Sequence, residues 1–173
     1  MTHFSIRYAT PLDAGLIADI SRETFYNTFA SQNTPEDMDK FMNEQFTREK
    51  LMAQVGAEGN VFIMAYRGSE LVGYVRMLEG PAPEGVEPAP AIEIARIYAA
   101  SSTVGKGVGS VLMERCIDLA REKGKQVIWL GVWERNQRAI DFYRKWGFEK
   151  FSQHGFLLGN DLQTDWLMKK ILK

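Results

Sequence analysis

Hydrophobic residues recur along the chain with two different periods, and this separates predicted strands from predicted helices. Apolar residues at every second position, or in short unbroken runs, predict strands. Such stretches are residues 5–10, residues 61–78 (a hairpin with its turn at Gly68 and Ser69), and residues 91–99, 126–133, 148–159 and 162–172. The run QVIWLGVW at residues 126–133 is continuously apolar, which is typical of a strand buried on both faces.

Two helices are predicted in the first half of the chain. The first opens at Pro11 and Asp13 and has one largely apolar face. The second covers residues 33–46, with Thr34 as its cap and Pro35 at its first helical position. The face of the first helix consists of Leu16, Ile17, Ile20, Thr24 and Phe25.

Two further helices are predicted in the second half. One opens at Val108 and ends at Lys123 and Gly124, a cation in the last turn followed by a glycine. The other covers residues 136–146 and ends before Gly147. Their apolar faces hold Val108, Val111, Leu112, Cys116 and Leu119 in the former, and Ala139, Phe142, Tyr143 and Trp146 in the latter.

The order of these elements predicts the fold class. In the second half, strand, turn, helix, strand and helix follow one another, so two strands run parallel inside a largely antiparallel sheet. We therefore expect a mixed α/β (α+β) fold with helices packed on the sheet. Residues 80–90, with four prolines, predict a long exposed loop. With 173 residues, 45% of them hydrophobic, the chain fits one compact domain over residues 1–173.

Composition narrows the classes of partner and compartment. A net charge of −1 and a pI near 6.2 argue against nucleic acid or an anionic membrane as a partner. No apolar run approaches the roughly 20 residues of a membrane span, and the first residues lack the apolar core of a signal peptide. One cysteine excludes an intramolecular disulfide and fits a cytoplasmic protein. Two histidines far apart, without a cysteine cluster, predict no metal site.

A glycine-rich turn precedes the helix that opens at Val108. Gly105, Gly107 and Gly109 leave the backbone bare where the first helical N–H groups lack partners and the helix dipole is positive. This arrangement predicts a phosphate-binding site, although a flexible turn that only starts a helix fits the glycines too. Neither the Walker pattern nor the Rossmann pattern matches, since Lys106 is followed by Gly107 and the glycines alternate.

The chain resembles the GCN5-related N-acetyltransferase (GNAT) superfamily over nearly its whole length in element order, and most strongly in its second half. The resemblance rests on IEIARIYAASSTVGKGVGSVLM at residues 92–113 and on WLGVWERNQRAIDFYRKWGF at residues 129–148. The family pattern Q/R-x-x-G-x-G/A falls on residues 104–109, with Val104 in place of Gln or Arg. It implies the GNAT fold, in which the parallel strand pair splays apart and helices cover both faces of the sheet.

Within the superfamily, the chain resembles the Pai-type polyamine N-acetyltransferases most closely. The stretches that carry this finer resemblance are ETFYNTF, EIARIY, IWLGVWERN, AIDFYRKWGF and LGNDLQTDWLMKK.

The resemblance implies acetyl-CoA as the cosubstrate and names the groups that bind it. The strand before the turn would pair with the pantetheine amides through Ile97, Tyr98 and Ala99, and backbone N–H groups there could stabilise an oxyanion. Asn136 would contact the cofactor, or serve only as a helix cap, and Lys145 would meet the terminal phosphates or remain solvated. The pyrophosphate would lie on the backbone of Val104, Gly105, Lys106, Gly107, Val108, Gly109 and Ser110.

Two residues match the catalytic groups of the family. Tyr143 would protonate the leaving CoA thiolate, since a phenol and a thiol have similar reference pKa values; alternatively, Tyr143 only packs in the core. Glu93 would accept a proton from the amine, or be an ordinary exposed strand residue. Cys116 lies on the apolar helix face, so a core role is expected and the amine would attack acetyl-CoA directly.

The resemblance implies an acetyl-CoA-dependent N-acetyltransferase for a small primary amine, with a polyamine such as spermidine or spermine as the expected acceptor. A peptide or amino-compound acetyltransferase and a non-catalytic acyl-CoA-binding sensor are the alternatives. The oligomeric state stays open, with a homodimer as one possibility.

Overall fold

A computed structural model describes residues 3–173, and its seven strands form one mixed sheet with the order β1-β2-β3-β4-β5-β7-β6. All neighbouring strands pair antiparallel except β4 and β5, which run parallel. This confirms the predicted mixed α/β fold. The strands are β1 (Ser5–Tyr8), β2 (Asn60–Arg67), β3 (Glu70–Leu78), β4 (Ala91–Ala99), β5 (Val127–Trp133), β6 (Glu149–Leu158) and β7 (Asp161–Ile171).

Five α-helices cover the two faces of the sheet. The helices are α1 (Ala14–Phe29), α2 (Pro35–Lys40), α3 (Arg48–Gln54), α4 (Val108–Glu122) and α5 (Gln137–Lys145). Helices α4 and α5 share one buried core with the sheet, and α1 to α3 form the cores on the opposite face. No helix within residues 3–173 is both long and apolar enough to cross a membrane.

The boundaries predicted for the second helix were wrong. The helix expected over residues 33–46 ends at Lys40 and continues as a π-helical turn, Phe41–Gln45. Helix α3, which was not predicted, follows; the Thr47 side chain caps it by accepting from the Lys50 N–H at 3.3 Å. Its only buried residue is Leu51, so it leaves too short an apolar pattern to be recognised.

Two smaller differences concern the start of the chain and the proline-rich loop. The first strand ends at Tyr8, and a 3-10 turn precedes α1. The loop before β4 is not wholly exposed, because Val86 is buried and Lys169 Nζ on β7 donates to the Gly85 carbonyl at 2.7 Å. The loop therefore folds back over the sheet.

Strands β4 and β5 separate after a short parallel segment. They pair only between residues 91–93 and residues 127–129, and β5 then continues along β7 as far as Trp133 opposite Asp165. A register shift in β3 at Arg76 and Met77 leaves Ala95 of β4 without a partner. Such a bulge bends and twists its strand. A wedge-shaped opening therefore lies between β4 and β5 beyond Glu93.

The bulge also decides which β4 side chains face which helices. Ile92, Ile94, Ile97 and Ala99 pack in the core beneath α4. Tyr98 instead faces α1, where it lies opposite Tyr74 of β3 with ring centroids 6.3 Å apart. Glu93 alternates with Ile92 and Ile94, and so lies on the α1 side as expected.

Candidate active site

The glycine turn has the geometry expected for an anion cradle. Gly105 and Gly107 have φ angles of 81° and 95°, a left-handed region that favours glycine. Gly107 caps α4, and the first intrahelical bond runs from the Val111 N–H to the Gly107 carbonyl at 3.1 Å. The N–H groups of Val108, Gly109 and Ser110 therefore have no intrahelical acceptor and can bind an anion.

The side chains around this turn differ in exposure. Val104, Lys106 and Ser110 are exposed, while the Val108 side chain is buried under the sheet. Gly109 lies against α5, where an added Cβ would meet the Phe142 ring at 3.4 Å. The turn thus offers backbone, rather than bulky side chains, to a ligand.

Sequence reasoning missed a cation beside the turn. A Cβ added to Gly105 would lie 3.8 Å from Nη2 of Arg138, which stands in the first turn of α5. A guanidinium there can bind phosphate through two hydrogen bonds. Only the tertiary packing of α4 against α5 reveals it. Lys145, predicted to meet phosphates, lies exposed at the end of α5.

The edge of β4 that faces the opening carries free backbone groups. The Ala100 N–H donates to the Val72 carbonyl on β3 at 2.7 Å. In an antiparallel pair, every second residue directs its backbone N–H and C=O to the same neighbour, so Tyr98 also bonds to β3. Ile97 and Ala99 then direct their N–H and C=O groups toward β5, which has separated. Tyr98 was predicted, with Ile97 and Ala99, to contact the cofactor. Its backbone instead pairs with β3, and its side chain faces α1.

These two features fit a long ligand with amides along its length and phosphates at one end. The free edge of β4 offers donors and acceptors to the amides, and it leads directly to the glycine turn. Acetyl-CoA has this chemistry. The residues that would hold it are Ile97, Ala99, Gly105, Gly107, Val108, Gly109, Ser110 and Arg138.

Tyr143 of α5 lies in the same buried core as Ile97 and Ala99 of β4. Its ring is 8% exposed and packs against Phe142 and Phe148, with centroids 5.6 and 5.9 Å away. Burial raises the pKa of its phenol well above the usual value, so the hydroxyl stays protonated at neutral pH. The hydroxyl has no hydrogen-bond partner among residues 3–173, which leaves its proton free for a ligand.

Asn136 caps α5. Its Oδ1 accepts from the Ala139 N–H at 3.3 Å, which is the usual N-cap bond. The side-chain amide makes no hydrogen bond within the described chain, so it remains available as a donor. A contact with the cofactor stays a prediction.

Glu93 stands at the base of the opening. Its carboxylate receives no hydrogen bond from residues 3–173 and is partly buried. Burial raises its pKa above the usual range, while the positive charge of Arg76, and that of His154 when it is protonated, oppose that shift. A carboxylate with a raised pKa, free of donors, is suited to accept a proton.

Further polar residues, not found by sequence reasoning, surround an exposed glycine on the same sheet face. Gly131 of β5 is exposed between buried Leu130 and Val132. An added Cβ there would be 3.7 Å from His154 Nε2 and 3.8 Å from Asp165 Oδ2. We call this area the Gly131 surface; it comprises Glu93, Trp129, Gly131, His154 and Asp165. Their registers place all five on one face, which no local pattern could show.

Two arginines lie next to this surface. Arg76 of β3 and Arg96 of β4 are directly opposite each other, an arrangement that like charges disfavour. Their hydrogen-bond partners are amides: Arg76 donates to Asn60 at 2.7 Å, and Arg96 to Gln54. Burial and the charge of Arg96 lower the pKa of Arg76.

Cys116 is fully buried, and burial raises the pKa of its thiol far above the usual range. Because a thiol must ionise to act as a nucleophile, this environment makes Cys116 unreactive. Its position agrees with the expected core role.

Comparison with known proteins identifies relatives over the whole chain. The model of the acetyltransferase (GNAT) family matches residues 21–148. A protein of Lactobacillus delbrueckii subsp. lactis, named an uncharacterized N-acetyltransferase in the pepI 3′ region, is 39% identical over 173 residues, which cover 99% of both chains. The spermidine N(1)-acetyltransferase of Thermoplasma acidophilum is 24% identical over 171 residues, which cover 95% of both chains.

A solved structure has the same fold. The PaiA N-acetyltransferase of Thermoplasma acidophilum, crystallised in complex with coenzyme A, superimposes with a TM-score of 0.80 at 22% identity, covering 98% of this chain and 99% of the other. At this identity the likeness establishes the architecture alone.

Proposed function

This chain belongs to the GNAT acetyltransferase family and is an acetyl-CoA-dependent N-acetyltransferase, and we propose that it acetylates a small primary amine by direct transfer. One observation carries the proposal: the opening between β4 and β5 joins the anion cradle at one end to a donor-free carboxylate, Glu93, at the other. Bound acetyl-CoA supplies the thioester carbonyl that the amine attacks.

Glu93 is the proposed general base. An alkyl amine with a pKa near 10.4 is neutral in only about one molecule in 2,000 at pH 7, so a proton must be removed before or during attack. The carboxylate takes this proton directly or through water as the C–N bond forms. Burial raises the pKa of Glu93, which makes it a stronger base than an exposed glutamate, while the positive charge of Arg76 limits that rise.

Tyr143 is the proposed general acid. As the C–S bond breaks, the departing thiolate takes the phenolic proton. Burial keeps Tyr143 protonated beforehand, and because burial also disfavours the tyrosinate, the transfer requires the phenol to lie directly beside the thiolate. We expect the free N–H groups of Ile97 and Ala99 to stabilise the negative charge that develops on the carbonyl oxygen. The buried thiol of Cys116 supports transfer without an acetyl-enzyme.

The acceptor that we propose is a polyamine such as spermidine. Two carboxylates lie on the Gly131 surface. Glu93 receives no hydrogen bond from residues 3–173, and the one ion-pair partner of Asp165 there is His154, whose Nε2 is 3.7 Å from Oδ2. Burial raises the pKa of both carboxylates. Cationic groups stabilise such carboxylates. A relative of comparable length is named a spermidine acetyltransferase, which favours the same substrate class.

The Arg76–Arg96 pair favours a second candidate, an amine that also carries a carboxylate. Guanidinium groups without carboxylate partners bind such anions well. Lysine and cadaverine differ only in a carboxylate, as do ornithine and putrescine, so these pairs separate the candidates.

A CoA-release assay tests the proposal. Spermidine, spermine, the two matched amine pairs and an N-terminal peptide are each supplied with acetyl-CoA. We expect the highest kcat/KM with spermidine or spermine. Higher values for lysine and ornithine than for their decarboxylated partners support the second candidate instead. Acetyl-CoA binding without turnover of any amine indicates a sensor.

A further inference from the structure

Asp165 on β7 is a mostly covered carboxylate whose one ion-pair partner within residues 3–173 is a histidine. Its side chain is 16% exposed, and His154 Nε2 lies 3.7 Å from Oδ2, an ion pair only when the imidazole is protonated. Covered carboxylates are normally paired with a cation or with several donors. Because the imidazole is itself 52% exposed and lies to one side, the Asp165 carboxylate can bind a further cation.

Gly131 leaves one side of the Asp165 carboxylate without a covering side chain. A Cβ added to Gly131 would lie 3.8 Å from Asp165 Oδ2, an ordinary contact distance. The residue in register with Asp165 is Trp133, whose side chain is 8% exposed and packs edge-on against Phe29, with ring centroids 5.9 Å apart. An ammonium group that approaches over Gly131 therefore meets the carboxylate beside apolar side chains, where a charge pair is stronger than in water.

The strand registers fix the distance between Glu93 and Asp165. Glu93 on β4 is in register with Trp129 of β5. Asp165 on β7, on the other side of β5, is in register with Trp133, four residues further along β5. With strands about 4.8 Å apart and a rise of about 3.3 Å per residue, the two Cα atoms are about 16 Å apart on one face. An extended polyamine can reach both carboxylates, and a short monoamine can reach only one.

We propose that Asp165 binds a second, non-reacting ammonium group of the acceptor while Glu93 serves the amine that is acetylated. This inference rests on the proposed function and deepens it: the enzyme selects amines by the distance between two cationic groups. His154, 52% exposed beside Asp165, lies at the outer edge of this site.

The test compares Asp165→Asn with a matched control, Asp118→Asn, an exposed aspartate on α4 at the opposite face. For Asp165→Asn we expect the KM for spermidine to rise about tenfold or more, as for loss of a charge-assisted hydrogen bond. The KM for n-butylamine and the Kd for acetyl-CoA should not change. Asp165→Glu should recover part of the loss, and Asp118→Asn should behave as the wild type.

Two results overturn the inference. One is an equal rise in KM for spermidine and n-butylamine in Asp165→Asn, which indicates general damage to the site. The other is an unchanged KM for spermidine.

A calorimetric titration of spermidine into the CoA complex separates this inference from the proposed function. If the wild type acetylates no amine, the proposed function fails. Weaker spermidine binding to Asp165→Asn than to Asp118→Asn still supports the ammonium site, and equal binding overturns it.

Discussion

Glu93 and Trp129 form the last register pair between β4 and β5 before the two strands separate. The proposed base is therefore held by paired strands on both sides, while the backbone immediately after it is free for a ligand. Rigid strands position a catalytic group more accurately than a loop does. The same pair places Glu93 on the face of the Gly131 surface.

The cradle is tested by Gly107→Val. A valine at φ 95° is strained and adds bulk where the backbone meets phosphate, so acetyl-CoA should bind at least about tenfold more weakly by calorimetry. Gly124→Val is the matched control, because Gly124 ends the same helix with φ 68° and open space around it. It should lose comparable stability yet bind acetyl-CoA normally. Equal affinity of both variants for acetyl-CoA would contradict a phosphate-binding role for the glycine turn.

Tyr143→Phe keeps the ring in its contacts with Phe142 and Phe148 and deletes only the hydroxyl. We expect kcat to fall by about 10²-fold, within the usual range for a general acid. The Kd for acetyl-CoA and the melting temperature should change little. Single-turnover measurements establish that chemistry limits the rate; a wild-type rate under that condition assigns Tyr143 to packing alone.

Glu93→Gln should be slow near pH 7 and recover partly at high pH, where neutral amine is abundant. The kcat/KM profile of the wild type should rise with pH as Glu93 loses its proton. Profiles that coincide over the whole pH range would assign the base to water or another residue.

The same variant makes a separate prediction for stability. A carboxyl whose pKa is raised by folding contributes stability when protonated and loses it as pH rises through the folded pKa. Glu93→Gln should therefore melt at a higher temperature than the wild type at neutral pH. The difference should close below the unfolded pKa of about 4.3. A variant less stable than the wild type at pH 7 contradicts this assignment.

Arg76 should lower the pKa of Glu93, the proposed base. Arg76→Gln removes a cation that lowers the pKa of Glu93, so the rising limb of kcat/KM should move to higher pH. Arg76→Lys keeps the charge and should leave the limb near its wild-type position. If both variants move the limb equally, the hydrogen bond to Asn60 matters rather than the charge.

Gly131→Val should obstruct the acceptor without disturbing the fold. The nearest atoms to an added Cβ are 3.7 Å away, an ordinary contact distance, and valine favours strands. We expect a several-fold higher KM for the amine, with an unchanged Kd for acetyl-CoA and an unchanged melting temperature. An unaffected amine KM would place the acceptor elsewhere.

The sequence by itself determined those parts that depend on local chemistry. The hydrophobic period predicts α1, α4, α5 and all seven strands, because burial of one face imposes that period on contiguous residues. The glycine turn is equally local, since free N–H groups and left-handed backbone belong to neighbouring residues. The parallel pair follows from element order.

Tertiary structure alone decided which further residues join the candidate site. Arg138 reaches Gly105 only because α5 packs against α4. His154 and Asp165 join the Gly131 surface through the register of three strands, and a shift of one residue would turn their side chains to the other face. The bulge at Ala95 likewise depends on pairing with β3, which local sequence does not specify. Such long-range pairing is set by the whole sheet, so the candidate acceptor site could be seen only after folding.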